Sequence, residues 1–103
     1  MFDYLKGYVT EINKDSVTLE LNDTGYKINT PNPYAYTLDE YIKVYTYLYI
    51  RDEVLYLYGF RTRDERELFL QLISVSGIGP KSATAIIATG SVSQIAQAIN
   101  NGD

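Results

Sequence analysis

Apolar residues alternate with polar ones over residues 4–60 and then recur at helical spacing from residue 62 onward. Alternation places successive side chains on opposite faces of a strand, whereas spacings of three and four residues place them on one face of a helix. The alternating part predicts one helical turn over 33–38 and five strands, which are 4–12, 16–21, 26–29, 41–50 and 54–60.

Turn-forming residues separate these predicted strands. Asn22-Asp23-Thr24-Gly25 follows the second strand, and the polar link Arg51-Asp52-Glu53 fits a β-hairpin tip between the fourth and fifth strands. Thr30-Pro31-Asn32-Pro33 ends the third strand, because proline cannot donate to a ladder. Five short strands in this order favour a small barrel of the five-stranded OB-fold type, and an SH3-like barrel is the alternative.

The second part of the chain predicts helices. Thr62-Arg63-Asp64-Glu65 has the form of a capping box. A first helix then buries Leu68, Phe69, Leu72 and Ile73, and a second, from Pro80 to Gly90, buries Ala83, Ile86 and Ile87. Another capping-box pattern at 91–94 predicts a third helix. The expected organisation is therefore β + α, with a barrel domain over 1–62 followed by an α-helical domain over 63–103.

Composition narrows the chemistry. The 103 residues contain no cysteine and no histidine, which excludes disulfides and removes the commonest general base and metal ligand. We therefore expect no catalytic residues, no metal and no cofactor. The apolar runs are too short to cross a bilayer and no signal peptide is apparent, which favours a cytoplasmic protein without membrane contact. A net charge of −4 argues against nucleic-acid binding unless the charges are segregated between faces.

The most informative segment is Ser76-Gly77-Ile78-Gly79-Pro80-Lys81, which lies between the first two predicted helices. Glycines allow a tight turn and a close approach, and the first amides of the following helix attract an anion. The segment resembles the helix–hairpin–helix motif. It predicts a contact to the phosphate backbone of DNA through Gly77, Ile78, Gly79, Lys81 and Ser82. The alternative is a turn that only joins two packed helices.

Four stretches of the chain together resemble the RuvA family. They are residues 1–7, Thr24-Gly25-Tyr26, Leu57-Tyr58-Gly59-Phe60 with Glu67-Leu68-Phe69, and 72–83. The resemblance implies an OB-fold, a domain with two helix–hairpin–helix motifs, and a further domain that binds RuvB. It implies a non-catalytic subunit that binds four-way Holliday junction DNA in recombination and repair. The chain ends where the second motif would begin, so a truncated member is expected.

The resemblance also implies an assembly. Four subunits, or eight, would form a platform that holds the junction open, while RuvB uses ATP to move the DNA and RuvC acts with them. Asp52 and Glu53 fall where the family carries an acidic pin at the centre of this platform. Two alternatives remain for these carboxylates: ordinary solvated turn residues, or a metal-binding pair. Arg51 and Arg61 are further candidates for a basic face, although either could pair with a nearby acid.

Two other functions remain open from the residues alone. A general OB-fold binder of single strands would use the stripe Tyr45, Tyr47 and Tyr49, but only Lys43 lies on that strand face. We expect this stripe to pack against the rest of the barrel or against a neighbouring subunit. The other possible function is that of a protein-interaction or oligomerisation module, which the negative net charge favours.

Overall fold

The computed structural model describes residues 2–75 and 77–90 of the chain. The strands and helices are β1 (Tyr4–Ile12), β2 (Ser16–Leu21), β3 (Thr24–Asn29), a 3₁₀ turn (Pro33–Ala35), β4 (Tyr41–Arg51), β5 (Val54–Phe60), α1 (Arg63–Ser74) and α2 (Pro80–Thr89). All five predicted strands, the helical turn and the first two helices are confirmed. Strand β3 begins at Thr24, two residues earlier than predicted. The predicted third helix lies outside the described residues.

The five strands close into a barrel in the order β1-β2-β3-β5-β4. Neighbouring strands are antiparallel except β3 and β5, which run parallel and meet at Asn29 and Tyr58. The barrel therefore closes through one registered residue pair between β3 and β5. The barrel followed by helices confirms the predicted fold class.

A first hydrophobic core fills the barrel. Its buried members come from four strands and the 3₁₀ turn: Leu5, Val9, Val17, Leu19, Ile28, Tyr36 and Val44. The hydroxyl of Tyr36 lies 3.2 Å from the hydroxyl of Thr30, so the one polar tip in this set has a hydrogen-bond partner. Burial raises the pKa of Tyr36.

A second hydrophobic core joins the barrel to the helices. Its buried members come from the end of β5 and from both helices: Tyr58, Phe60, Leu68, Phe69, Leu72, Ala83 and Ile87. The ring of Phe69 lies 4.9 Å from that of Phe60 and 5.2 Å from that of Tyr58, between centroids. Tyr47 and Tyr49 of β4 pack against this core. The expectation that the tyrosine stripe packs internally is therefore confirmed for these two residues.

Polar contacts fix the start of α1 on the barrel. The hydroxyl of Thr62 accepts from the Glu65 amide at 3.1 Å, as a capping box requires. The returning bond differs from the prediction, because the Glu65 carboxylate accepts from the amide of Arg61 and not from that of Thr62. One turn later, Arg66 donates to the carboxylate of Asp3 at 2.9 Å and to its carbonyl at 2.7 Å. The first residues of the chain are thereby bound to α1.

Gly59 is expected to tolerate no side chain. A Cβ at this position would lie 2.3 Å from Cγ2 of Ile28 and 2.5 Å from Cγ1 of Val44, both in the barrel core. We predict that Gly59→Ala lowers the free energy of unfolding by about 1–3 kcal/mol, the usual cost of overpacking a core. Urea denaturation measures this. Gly25→Ala is the control, since its Cβ would meet only Thr18 at 3.3 Å on an exposed strand; equal losses in both variants would contradict the steric explanation.

Candidate nucleic-acid interface

The hairpin between α1 and α2 combines a left-handed glycine with an anchored apolar residue. Gly77 has φ of +69°, a conformation that disfavours any side chain. The amide of Ile78 donates to the carbonyl of Leu72 at 3.1 Å. The half-buried side chain of Ile78 packs against the second hydrophobic core. Ile78 therefore fixes the hairpin to the helices. Ser76 lies outside the described residues.

The start of α2 presents backbone donors to open space. Gly79 caps the helix with φ of −68°, so of the two glycines only Gly77 uses the left-handed region. The amide of Ala83 donates to the carbonyl of Gly79 at 2.9 Å. The amides of Lys81 and Ser82 lie in the first turn of the helix, where no carbonyl one turn earlier is available to accept from them. Within the described part of the chain, no atom lies within 4 Å of a Cβ built on Gly79. An anion can therefore approach this backbone closely.

Lys81 borders a groove between α2 and the barrel. The groove has a volume of about 350 Å³, and Lys14, Asn29 and Tyr56 also line it. Burial raises the pKa of Tyr58, another lining residue, with smaller contributions from its tyrosine neighbours. Lys14 lies in the β1–β2 turn and was missed by the sequence analysis, because nothing in a turn sequence shows which distant helix it will face. Asp15 lines the same groove, so the two lysines outnumber its carboxylate and leave a small positive charge that attracts phosphate.

Asp52 and Glu53 form the two-residue turn between β4 and β5. Their φ values are 51° and 66°, and the strands pair up to Arg51 and Val54 on either side. This is the geometry of a type I′ hairpin turn. Both carboxylates are exposed at the tip. The predicted hairpin tip is confirmed, although Arg51 belongs to β4 and only the two acidic residues make the turn.

The backbone of the Asp52-Glu53 turn adopts a conformation that is unfavourable for glutamate. Type I′ turns favour Asn-Gly or Asp-Gly, and glutamate in the left-handed region is uncommon. The β2–β3 hairpin has the same geometry with Asn22 and Asp23, whose φ values are 50° and 62°. Short polar side chains suit that conformation better than glutamate does. The turn therefore carries a second carboxylate at the expense of local stability.

The two candidate arginines both have acidic neighbours. Arg51 lies 3.8 Å from the carboxylate of Asp52, and both side chains are largely exposed, so the pair contributes little to stability. Arg61 lies 3.9 Å from Glu40, donates to the carbonyl of Ala35 at 3.3 Å and stacks over the ring of Tyr36 at 5.0 Å. Arg61 therefore links the 3₁₀ turn to the end of the barrel, which leaves Lys81 as the main basic candidate at the hairpin.

The described residues, 2–75 and 77–90, contain neither a cluster of metal-ligating side chains nor a membrane-spanning helix. They contain no group of three or more carboxylate, histidine or cysteine side chains that could hold a metal ion. They also contain no helix that is long and apolar enough to span a membrane.

Comparison with protein-family models matches both parts of the chain. The model of the RuvA N-terminal domain matches residues 1–59, more than half of the chain. The model of the SAM-like helix-hairpin-helix tandem matches residues 69–101. The two matches follow the order of the barrel and the helices.

Curated proteins similar to the chain carry the name Holliday junction branch migration complex subunit RuvA. The one from Bacillus cytotoxicus is 50% identical over 104 residues, which cover 100% of the chain and 51% of the relative. Those from Bacillus thuringiensis and Bacillus anthracis are each 49% identical, with the same coverage. The chain thus spans about half the length of the curated relatives it matches.

The cost of the acidic turn can be measured. We predict that Glu53→Gly raises the free energy of unfolding by about 0.5–1 kcal/mol, because glycine adopts the left-handed region without steric penalty but loses more entropy on folding. Thermal or urea denaturation checks this. Glu53→Ala removes the same carboxylate without relieving the backbone and should give no gain; an equal gain would trace the effect to charge, and no gain from glycine would contradict the strain.

Proposed function

The chain belongs to the RuvA family, and on that premise we propose that it binds four-way Holliday junction DNA and helps to hold the junction open during recombination and repair. The observation that carries this proposal is the hairpin at Gly77 and Gly79, where Lys81 is exposed at the start of α2 and no atom of the described residues lies within 4 Å of a Cβ built on either glycine. Backbone donors beside a lysine are suited to phosphate and carry no sequence information. A contact of this kind is appropriate for a four-way junction, which is recognised by its shape.

The proposed phosphate site consists of Gly77, Ile78, Gly79, Lys81 and Ser82. Ile78 has a structural part in it, because its side chain packs inward and sets the direction of the neighbouring amides. Lys81 and Ser82 are exposed and would contact the backbone of one DNA arm. Lys14, on the same groove, adds positive charge beside that arm.

Asp52 and Glu53 are the proposed acidic pin. Their hairpin projects exposed carboxylates from the barrel, and in an assembly of four copies these would gather near one point. Phosphates that approach such a point would be repelled. A continuous duplex laid across it is therefore disfavoured relative to a junction with an open centre, which gives selectivity by repulsion.

The wider assembly is also part of the proposal. The relatives are named as subunits of a branch migration complex. We propose a homotetramer or octamer that works with RuvB, which supplies the ATP-driven motor, and with RuvC. The chain itself would be a non-catalytic, cytoplasmic DNA-binding subunit, with 1–62 as its OB-fold domain and 63–103 as the first part of its helix–hairpin–helix domain.

The phosphate site predicts a charge-specific loss. Lys81→Glu should weaken binding of a synthetic four-way junction at least about tenfold, since a charge-assisted hydrogen bond contributes about 1.5–3 kcal/mol. The slope of log affinity against log salt should fall by about 1. Fluorescence anisotropy at several salt concentrations measures both. Lys27→Glu, an exposed change of the same charge on β3, is the control; equal weakening in both variants, or none in Lys81→Glu, would remove Lys81 from the site.

The acidic pin predicts a change in selectivity. The double variant Asp52→Asn/Glu53→Gln should raise duplex affinity relative to junction affinity at least about fivefold, because removing repulsion worth about 1 kcal/mol or more favours the straight duplex. Parallel titrations with a junction and a duplex of matched sequence measure the ratio. Asp23→Asn, in the matching turn of the other hairpin, is the control. An unchanged ratio would return both residues to ordinary solvated turn positions.

A further inference from the structure

The outer surface of β1 and β4 carries a regular arrangement of tyrosine and lysine. We call it the tyrosine–lysine face, and its six residues are Tyr4, Lys6 and Tyr8 of β1 and Tyr41, Lys43 and Tyr45 of β4. The strand register sets each residue opposite one of its own kind, with tyrosine pairs at the two ends and the lysine pair between them. Of this lysine pair, only Lys43 could be placed on the face from the sequence, because the register that sets Lys6 beside it is a tertiary property.

Three of the four tyrosines of this face remain open to solvent, and Tyr45 is half-buried. Tyr4, Tyr8 and Tyr41 are exposed by 44%, 54% and 58%. Tyrosine buries a large apolar area when it finds a partner, so a cluster of exposed tyrosines marks a binding surface more often than scattered ones do. By contrast, Tyr47 and Tyr49 further along β4 are partly covered by the second hydrophobic core.

The rings of the face are tilted against each other. The centroids of Tyr8 and Tyr41 lie 4.9 Å apart with an interplanar angle of 54°, and those of Tyr4 and Tyr45 lie 6.4 Å apart at 64°. Rings that are not stacked flat upon each other keep ring surface available to a third planar group. The ammonium of Lys43 lies 4.1 Å from the centroid of Tyr4, which holds it over the face.

The charge of the face is positive in a chain whose net charge is negative. Lys6 and Lys43 stand directly opposite each other, an arrangement that costs stability unless an anion lies between them. None of the six positions is acidic. Arg63 adds a cation 5.6 Å from the ring of Tyr45. Of the carboxylates at its border, Asp3 is engaged by Arg66 at 2.9 Å. Glu20 of β2 stands opposite Tyr8 and, with Asp23, lines the same pocket as Lys6, so the positive charge is centred on Lys43 and Arg63 at the other end of the face.

We propose that the tyrosine–lysine face binds single-stranded nucleic acid, with the lysines on phosphates and the tyrosines stacked on bases. Aromatic side chains along a positive track are the recurring way in which barrels hold single strands without sequence preference. A twofold contact with a second copy is disfavoured, since it would bring two lysine pairs together. A contact with a different surface of a neighbouring subunit is the competing occupant, and the sedimentation measurement below tests for it. Charge complementarity therefore selects a polyanion.

This site is separate from the proposed junction site. The groove beside Lys81 is bordered by residues of β3 and β5, whereas the tyrosine–lysine face belongs to β1 and β4. The inference goes beyond junction recognition and does not depend on it. A strand displaced from a duplex is the chemical class of ligand that the face would take.

The test uses a labelled oligothymidylate of about 20 nucleotides, longer than the ~4–16 that one barrel covers. Tyr8→Ser/Tyr41→Ser should weaken its binding at least about fivefold, the effect of losing one stacked base. Lys6→Gln/Lys43→Gln should lower the salt slope by about 1.4, at ~0.7 per lysine. An abasic strand of equal length should bind the unmodified chain more weakly than oligothymidylate does, and this preference should be smaller in the tyrosine variant, which keeps Tyr4 and Tyr45.

Two control variants distinguish binding at the tyrosine–lysine face from binding at the junction site beside Lys81. Tyr34→Ser removes a tyrosine that is 75% exposed outside the face and should change nothing. Lys81→Glu should weaken junction binding and leave oligothymidylate binding intact. The proposal is overturned if the unmodified chain binds no oligothymidylate at low salt, or if Lys81→Glu reduces that binding as much as the face variants do. It is also overturned if the face variants change only the sedimentation coefficient, which would make the face a protein contact.

Discussion

The packing of Phe69 against the end of β5 is the contact on which the rest of the arrangement depends. Its ring touches Phe60 and Tyr58 from the barrel, and the same core takes in Leu72 and Ala83 from the two helices. Loops and hairpins hold ligands only as accurately as the elements that carry them. This core positions the hairpin at Gly77, through Ile78, relative to the barrel and its acidic turn. Barrel and helices thus present their charged groups as one unit.

The net charge of −4 is a sum over the whole chain, whereas a ligand meets the local charge of the surface that it contacts. Carboxylates stand at the tip of the β4–β5 hairpin, whereas Lys81 and Lys14 share one groove and Lys6 and Lys43 share one sheet face. Salt screens each charged side chain beyond the Debye length, which is ~8–10 Å at ordinary ionic strength. The sign of the charge near the ligand therefore matters more than the net charge of the chain. The groove at Lys14 and Lys81 attracts phosphate, whereas the Asp52-Glu53 turn repels it. Together the two features favour a DNA whose shape places phosphates at the first and keeps them away from the second.

Local patterns in the sequence were enough to predict the strands and helices, the helix caps and the hairpin motif. Alternation over β1, β2 and β4 and the helical spacing at Leu68, Phe69 and Leu72 were strong because burial follows the same periods. Three features could not be predicted: the position of Lys14 on the groove, the hydrogen bond that the Arg61 amide donates to the Glu65 carboxylate, and the pairing of Lys6 with Lys43. Each depends on which distant residues become neighbours, and that is set by register and by packing between elements. The left-handed backbone at Glu53 was also unexpected, since glutamate rarely adopts it.

The most direct measurement is the affinity of the chain for a synthetic four-way junction against a duplex of matched sequence, at two salt concentrations. A phosphate-binding hairpin combined with a repulsive acidic turn predicts a clear preference for the junction, with an affinity that falls as salt rises. Equal affinity for the two DNAs would contradict shape recognition by this part of the protein. Binding that does not respond to salt would contradict the phosphate contact itself.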